Sequence, residues 1–176
     1  MNGFRRIALP ATALAFLLGA CSGQEIGVTQ GHTDEPVIVL SEGACSHDTC
    51  PVYDMTLHGD GSYILNGVRY VKTVGVTDGN LGAEAWTGAE KVLEDAQFWG
   101  MAARETADKL PNCQPDAPTV QVTWRTDKGK EKTLVYNAGC GVPATRDMIS
   151  RLRAALQFEK LVWTNEKFRF DPAAGR

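Results

Sequence analysis

Cys45, His47 and Cys50 fall in one short stretch, CSHDTC. Thiolate and imidazole donors this close together suit zinc or copper, with Asp48 or His58 as a fourth ligand. The same two cysteines could also form a redox pair or a disulfide staple. Four residues separate them, so they lack the activated-thiol geometry of C-x-x-C. A short-loop disulfide can still be labile. The compartment decides which chemistry is open to them.

That compartment is legible at the N-terminus. Arg5 and Arg6 form a positive n-region, and Ile7 to Ala20 carries no charge. The apolar stretch is shorter than the roughly 20 residues a membrane-spanning helix needs and has the length of a signal-peptide core. It ends in Leu18-Gly19-Ala20-Cys21. Small residues before a cysteine fit a bacterial lipobox, so residues 1–20 are expected to be a lipoprotein signal peptide and Cys21 the lipidation site. The residues around Arg5-Arg6 fit twin-arginine export only weakly. Ser22, where an aspartate would favour inner-membrane retention, points to the outer membrane, facing the periplasm. Residues 21–36 then read as the lipidated cysteine and a flexible tether.

The formal charge of −3 becomes more acidic once the basic leader is removed. An acidic chain has no electrostatic footprint for nucleic acid and no polybasic patch for anionic lipid. Membrane contact is expected through the lipid at Cys21 alone.

With Cys21 taken by lipid, Cys45, Cys50, Cys113 and Cys140 remain. An even number in an oxidising compartment implies disulfides, and four cysteines allow three pairings. Cys113 and Cys140 lie at nearly equal distances from the turn at Asp127-Lys128-Gly129. They flank the open end of that hairpin and are expected to pair, leaving Cys45 to pair with Cys50. A metal site at Cys45, His47 and Cys50 would need both thiols reduced, which the compartment opposes.

No catalytic motif stands out. The sequence lacks G-x-S-x-G, H-E-x-x-H, a P-loop and G-x-G-x-x-G. His32 lies in the tether and His58 ends a strand, while Asp60 serves a turn; Asp108 and Asp116 read as solvated or capping residues. Trp86, Trp99, Trp124 and Trp163 fall at core-facing positions or element ends and read as packing. No catalytic residue and no cofactor is expected.

These residues must be carried by a small mixed domain. Val37 to Leu40 is a continuous apolar run, a buried strand. Tyr53, Met55 and Leu57 alternate with polar residues. Gly59-Asp60-Gly61 turns the chain into Ser62–Leu65. Asn66-Gly67 reads as a second turn, Val68 to Val76 as a third strand, and Thr77-Asp78-Gly79-Asn80 as a break. Ala85, Ala89, Val92, Leu93 and Ala96 recur at helical spacing. Residues 102–118 read as loop. Val120, Val122 and Trp124 pair with Leu134 and Tyr136 as a hairpin. Met148, Ile149, Leu152, Ala155 and Leu156 stripe a second helix, with Leu161, Val162 and Trp163 packing its end. The expected fold is α+β: an antiparallel sheet from two hairpin or meander units, each followed by a helix on one face, with two disulfides. The domain is expected over 37–165, with a disordered tail at 166–176.

Cys50-Pro51-x-Tyr53, Gly59-Asp60-Gly61, Val74-Gly75, Cys113 before Asp116-Ala117-Pro118-Thr119, Gly139-Cys140, and the later Pro143 and Trp163 form a combined pattern. It resembles a domain of unknown function common in bacterial lipoproteins and exported proteins. The resemblance spans about Val37 to Trp163 and implies the same fold, extent and cysteine pairing. It implies no activity. The sequence departs from the pattern in its first cysteine loop, one residue longer with His47-Asp48 where glycine is usual. It departs again at Tyr136-Asn137, where many members have a histidine, which removes a second histidine from any metal site.

The expected function is therefore a non-enzymatic binding or interaction module, lipid-anchored at the outer membrane, with an envelope protein or cell-wall partner. The alternative is a metal-binding or thiol-redox protein using Cys45, His47 and Cys50. Exposed loops would carry either role.

Overall fold

Period-two patterning, read along the chain, builds a single sheet. The computed structural model describes residues 35–46, 50–111, 113–114 and 116–163. The expected signal peptide, Cys21, the tether up to residue 34, His32, His47, Asp48 and the tail at 166–176 lie outside the described residues. The strands are β1 (Val37–Glu42), β2 (Val52–His58), β3 (Ser62–Arg69), β4 (Gly75–Asn80), β5 (Arg104–Glu105), β6 (Thr119–Arg125) and β7 (Glu131–Asn137). The helices are α1 (Ala83–Asp95), α2 (Pro143–Ala155) and the single turn α3 (Phe158–Leu161). The strand order is β4-β3-β2-β1-β6-β7-β5. A β1–β4 meander and the β6–β7 hairpin thus form one sheet, joined by antiparallel β1–β6 pairing. All pairs are antiparallel except β5 with β7.

Alternation decides which face is covered. Ile38, Leu40, Tyr53, Met55, Leu57, Val122, Trp124, Leu134 and Tyr136 are buried and form one core with the helices. Onto that face α1 packs Ala85, Ala89, Val92 and Leu93, and α2 packs Met148, Ile149 and Leu152. The expected α+β class, helix placement and both disulfides are present.

Several local expectations are corrected, among them the third strand at Val68–Val76: Val68 and Arg69 end β3, and Val76 belongs to β4. Asn66-Gly67 is not a turn: β3 runs straight through it to Arg69. Gly67 is there for close approach, since a Cβ would overlap the Thr73 carbonyl and crowd Val71. The chain reverses instead between Tyr70, at φ 58°, and Gly75, at φ 99°. Thr77–Asn80, expected to break the sheet, pairs with Leu65–Ser62 as its edge strand. Within the expected 102–118 loop, Arg104–Glu105 adds a short parallel strand beside Val135 and Tyr136.

Candidate functional site

The quoted motifs gather at one end of the sheet. Glu42, the last residue of β1, stands opposite Tyr53 of β2. The connection beyond that pair holds the Cys45–Cys50 disulfide. Thr119 begins β6 at the same end, and Asn137, its partner, ends β7. Beyond them the Cys113–Cys140 disulfide ties the two flanking loops. The two stapled loops are joined. Ser46 donates from its amide to the Asp116 carbonyl (3.1 Å) and from its hydroxyl to Asp116 Oδ1 (2.9 Å). Gly43 N–H donates to Thr119 O at 2.9 Å. Asn137, buried, donates to Ala117 O (3.3 Å) and accepts from Gly139 N–H (2.8 Å). Asp116 is thus a loop tie, and Asp60 serves its turn as expected, accepting from Ser62 N–H at 2.8 Å.

The cysteine loop is a staple. The Cys45 and Cys50 sulfurs are bonded to each other, so in this form neither is a thiolate able to ligate a metal. His47 lies outside the described residues. His58 cannot complete a site there: it pairs with Val37, at the opposite end of β1 from Glu42, about 17 Å along the strand at ~3.3 Å per residue. His58 lies instead 3.5 Å from Glu35. No group of three His, Cys, Asp or Glu among the described residues is placed to hold a metal.

A set of residues not anticipated from the sequence lies directly inside the staple. Glu42 is 6% exposed, and its Oε2 accepts from Arg153 Nη2 of α2 at 2.5 Å. Burial raises the Glu42 carboxyl above the usual range, and the adjacent Arg153 only partly opposes this. Burial, and next the Glu42 charge, push the Tyr53 phenol upward. Its hydroxyl abuts both charged groups but is not aligned for a hydrogen bond. Burial alone would lower Arg153, but the Glu42 and Tyr53 charges reverse the shift and hold it above its usual value. The guanidinium lies over the Phe158 ring at 5.1 Å, and Phe158 in turn meets the Tyr53 ring at 5.5 Å.

This stack is the floor of a cleft of about 580 Å³, lined by Ser150, Arg153, Gln157, Phe158, Lys160 and Trp163 among others. Gln157, at φ 52°, makes the left-handed step between α2 and α3 that turns Phe158 inward. Lys72 holds the far side of α3, donating from Nζ to Lys160 O at 2.9 Å and from its amide to Val162 O at 3.0 Å. The cleft offers aromatic faces, two cations, the Glu159 carboxylate and amide and hydroxyl groups, a mixture suited to binding.

One signal could have revealed the set. Glu42 has the same parity as Ile38 and Leu40, so β1 aims a carboxylate at the core, and a buried acid needs a cation. Arg153 lies four residues after Ile149, beside the apolar stripe of α2. Trp163, expected to pack, both packs against the core and lines the cleft. Trp124 is core, and Trp99 stacks on it at 4.8 Å beneath Lys130.

The model of a domain of unknown function, DUF6438, matches residues 36–156. The chain belongs to the DUF6438 family. The match begins just before β1 and reaches the end of α2, so it contains Glu42, Tyr53 and Arg153 and both disulfides. Phe158 and the outer wall of the cleft lie just beyond it. No curated protein shows significant similarity to the chain. For this DUF6438 domain the C-P-x-Y, D-A-P-T and G-C segments act physically as one knot around the end of the sheet. Gly139 is required there because a Cβ would overlap the Gln114 carbonyl.

Proposed function

We propose that the chain is a lipid-anchored envelope module that binds a protein or cell-wall partner through the α2–α3 cleft. The observation that carries this reading is the buried Glu42–Arg153 pair beneath that cleft. Holding the Glu42 carboxylate out of water against a half-buried guanidinium is expensive and is a poor way to gain stability. Here it fixes a guanidinium against Phe158 at the floor of a concave surface, which is the preorganisation a binding site uses. The N-terminal pattern ending in Cys21 supports attachment by lipid at the periplasmic face of the outer membrane. No helix among the described residues is long and apolar enough to cross a membrane.

Two measurements test the reading separately. Radiolabelled palmitate should enter the wild-type chain in bacteria and be lost in Cys21→Ser, which would then leave the membrane fraction. A photo-crosslinking residue placed at Gln157 should give a discrete adduct in intact envelopes, and one placed at Gln121, on the opposite sheet face, should not. Absence of label would remove the anchor, and equal adducts from both positions would remove the cleft.

A further inference from the structure

The edge of the sheet carries a second surface, independent of the cleft. Among the described residues the large hydrophobics that are exposed lie in β3, in β4 or in the turn between: Ile64 (47%), Val68 (45%), Val74 (43%) and Val76 (69%). Val76 stands opposite Asn66, two residues from Ile64 on the same strand face. That face is turned away from the helices, because the intervening Leu65 is buried in the core.

β4 is also an edge with its backbone presented outward. Leu81 N–H donates to Gly61 O, directly across the β3–β4 ladder at 2.9 Å. Hydrogen-bonded pairs alternate along an antiparallel ladder, so Tyr63–Gly79 and Leu65–Thr77 bond inward. Val76, Asp78 and Asn80 therefore direct their amide and carbonyl groups away from β3. No described strand pairs with that side. The usual protections of an edge are short length, charged side chains (lysine above all), proline or a bulge. β4 reads GVTDGN and has neither lysine nor proline, and its pairing with β3 is unbroken. It carries one exposed charge, Asp78, in its C-terminal half, which leaves Gly75–Thr77 uncharged.

We propose that β4 pairs antiparallel with β4 of a second copy of the chain, about a two-fold axis at Val76. A two-fold interface needs one self-complementary patch and no other partner. The register follows from charge and apolar match. Centring the axis on Asp78 would oppose two carboxylates, and centring it on Thr77 would set each Val76 against Asp78. Centring it on Val76 apposes the most exposed hydrophobic side chain of each copy and pairs Gly75 with Thr77 on either side, while Asp78 faces Val74 in the turn outside β4. Val76 is also a residue whose amide and carbonyl face outward, so the central pair is fully hydrogen-bonded. Sheet continuation then merges the Ile64, Val68 and Val76 patches of both copies on one face.

The test uses the soluble Cys21→Ser chain. Sedimentation over a range of concentrations should show reversible dimerisation that Val76→Lys weakens at least tenfold, with an unchanged circular dichroism spectrum. Mild oxidation of a Val76→Cys variant should give a disulfide-linked dimer, since opposed residues in such a pair stand about 5.5 Å apart. Gln121→Cys, on the same face but in β6, should give none. A wild-type chain that stays monomeric at millimolar concentration, with no Val76→Cys cross-link, would overturn the proposal. So would a dimer untouched by Val76→Lys, or a Val76→Cys cross-link matched by Gln121→Cys. An extended peptide from another protein taking the edge in place of a second copy would show as the first of these outcomes.

Discussion

Arg153 Nη2 lies 2.5 Å from Glu42 Oε2, across the floor of the α2–α3 cleft and just inside the Cys45–Cys50 staple. The two residues are 111 positions apart in the chain, so the contact links the first strand to the last long helix. Breaking a buried pair by removing one partner typically costs about 3–5 kcal/mol. Arg153 is 31% exposed, and water can partly replace it, so Arg153→Ala should cost about 2–3 kcal/mol in urea unfolding. Glu42→Gln should cost less, because the remaining guanidinium can reach solvent. The double variant should show a coupling of about 1–2 kcal/mol. Strictly additive effects would mean that the two side chains are neighbours without energetic coupling.

The Glu42 carboxyl has a definite pH signature. Its ordinary value is 4.5, and burial raises it in the folded chain. The folded state therefore holds that proton more tightly than the unfolded chain does. Its contribution is fully present below pH 4.5 and is lost as pH rises through the raised value. The melting temperature of wild type minus that of Glu42→Gln should fall as pH increases from 4.5. A difference that grows over this interval would show that Arg153 outweighs burial. Asp95, which accepts from Lys91 and Arg151, is shifted down and acts in the opposite sense, losing its contribution at lower pH.

The two disulfides should differ in weight. Cys113–Cys140 spans 27 positions and Cys45–Cys50 only 5. Loop-closure entropy gives about 3.5 kcal/mol for the longer loop and about 2 kcal/mol for the shorter. Replacing both cysteines of each pair by alanine and comparing unfolding midpoints checks the order. Untreated protein should contain no free thiol among these four cysteines. Two free thiols at Cys45 and Cys50 would reopen the metal-binding alternative there.

The glycine at the misread turn gives a further check. Gly67→Ala drives a methyl group into the Thr73 carbonyl, and overpacking of this kind costs about 1–3 kcal/mol. An Asn66-Gly67 hairpin turn would instead hold Gly67 at positive φ, whereas Gly67 is not among the positive-φ glycines and the cost here is steric. Unchanged stability in Gly67→Ala would contradict the path of β3.

The sequence made the α+β class, the two hairpins, both long helices and the disulfide pairing readable, because each rests on a local signal. Alternation at Tyr53–Leu57, the stripe at Met148–Leu156 and the symmetric placement of Cys113 and Cys140 are of that kind. What escaped depends on contacts between distant segments. Asn66-Gly67 looks like a turn to any local reading, and only the Thr73 backbone packed against it shows otherwise. Arg104–Glu105 becomes a strand because β7 offers an edge. Parity along β1 aims Glu42 at the core, but its partner Arg153 looks like an ordinary surface charge until β1 and α2 are brought together. The cleft has no local signature for the same reason: its walls come from α2 and α3, far in sequence from CSHDTC.

The most direct test places the photo-crosslinking residue at Gln157 and compares three chains in intact envelopes: wild type, Arg153→Lys and Arg153→Ala. Lysine keeps the charge but lacks the delocalised guanidinium that lies over Phe158 and reaches Glu42. The wild-type adduct should fall several-fold in Arg153→Lys and vanish in Arg153→Ala, with all three chains folded and at equal abundance. An adduct of equal yield in all three would contradict binding at this cleft and leave the Glu42–Arg153 pair as a feature of the fold alone.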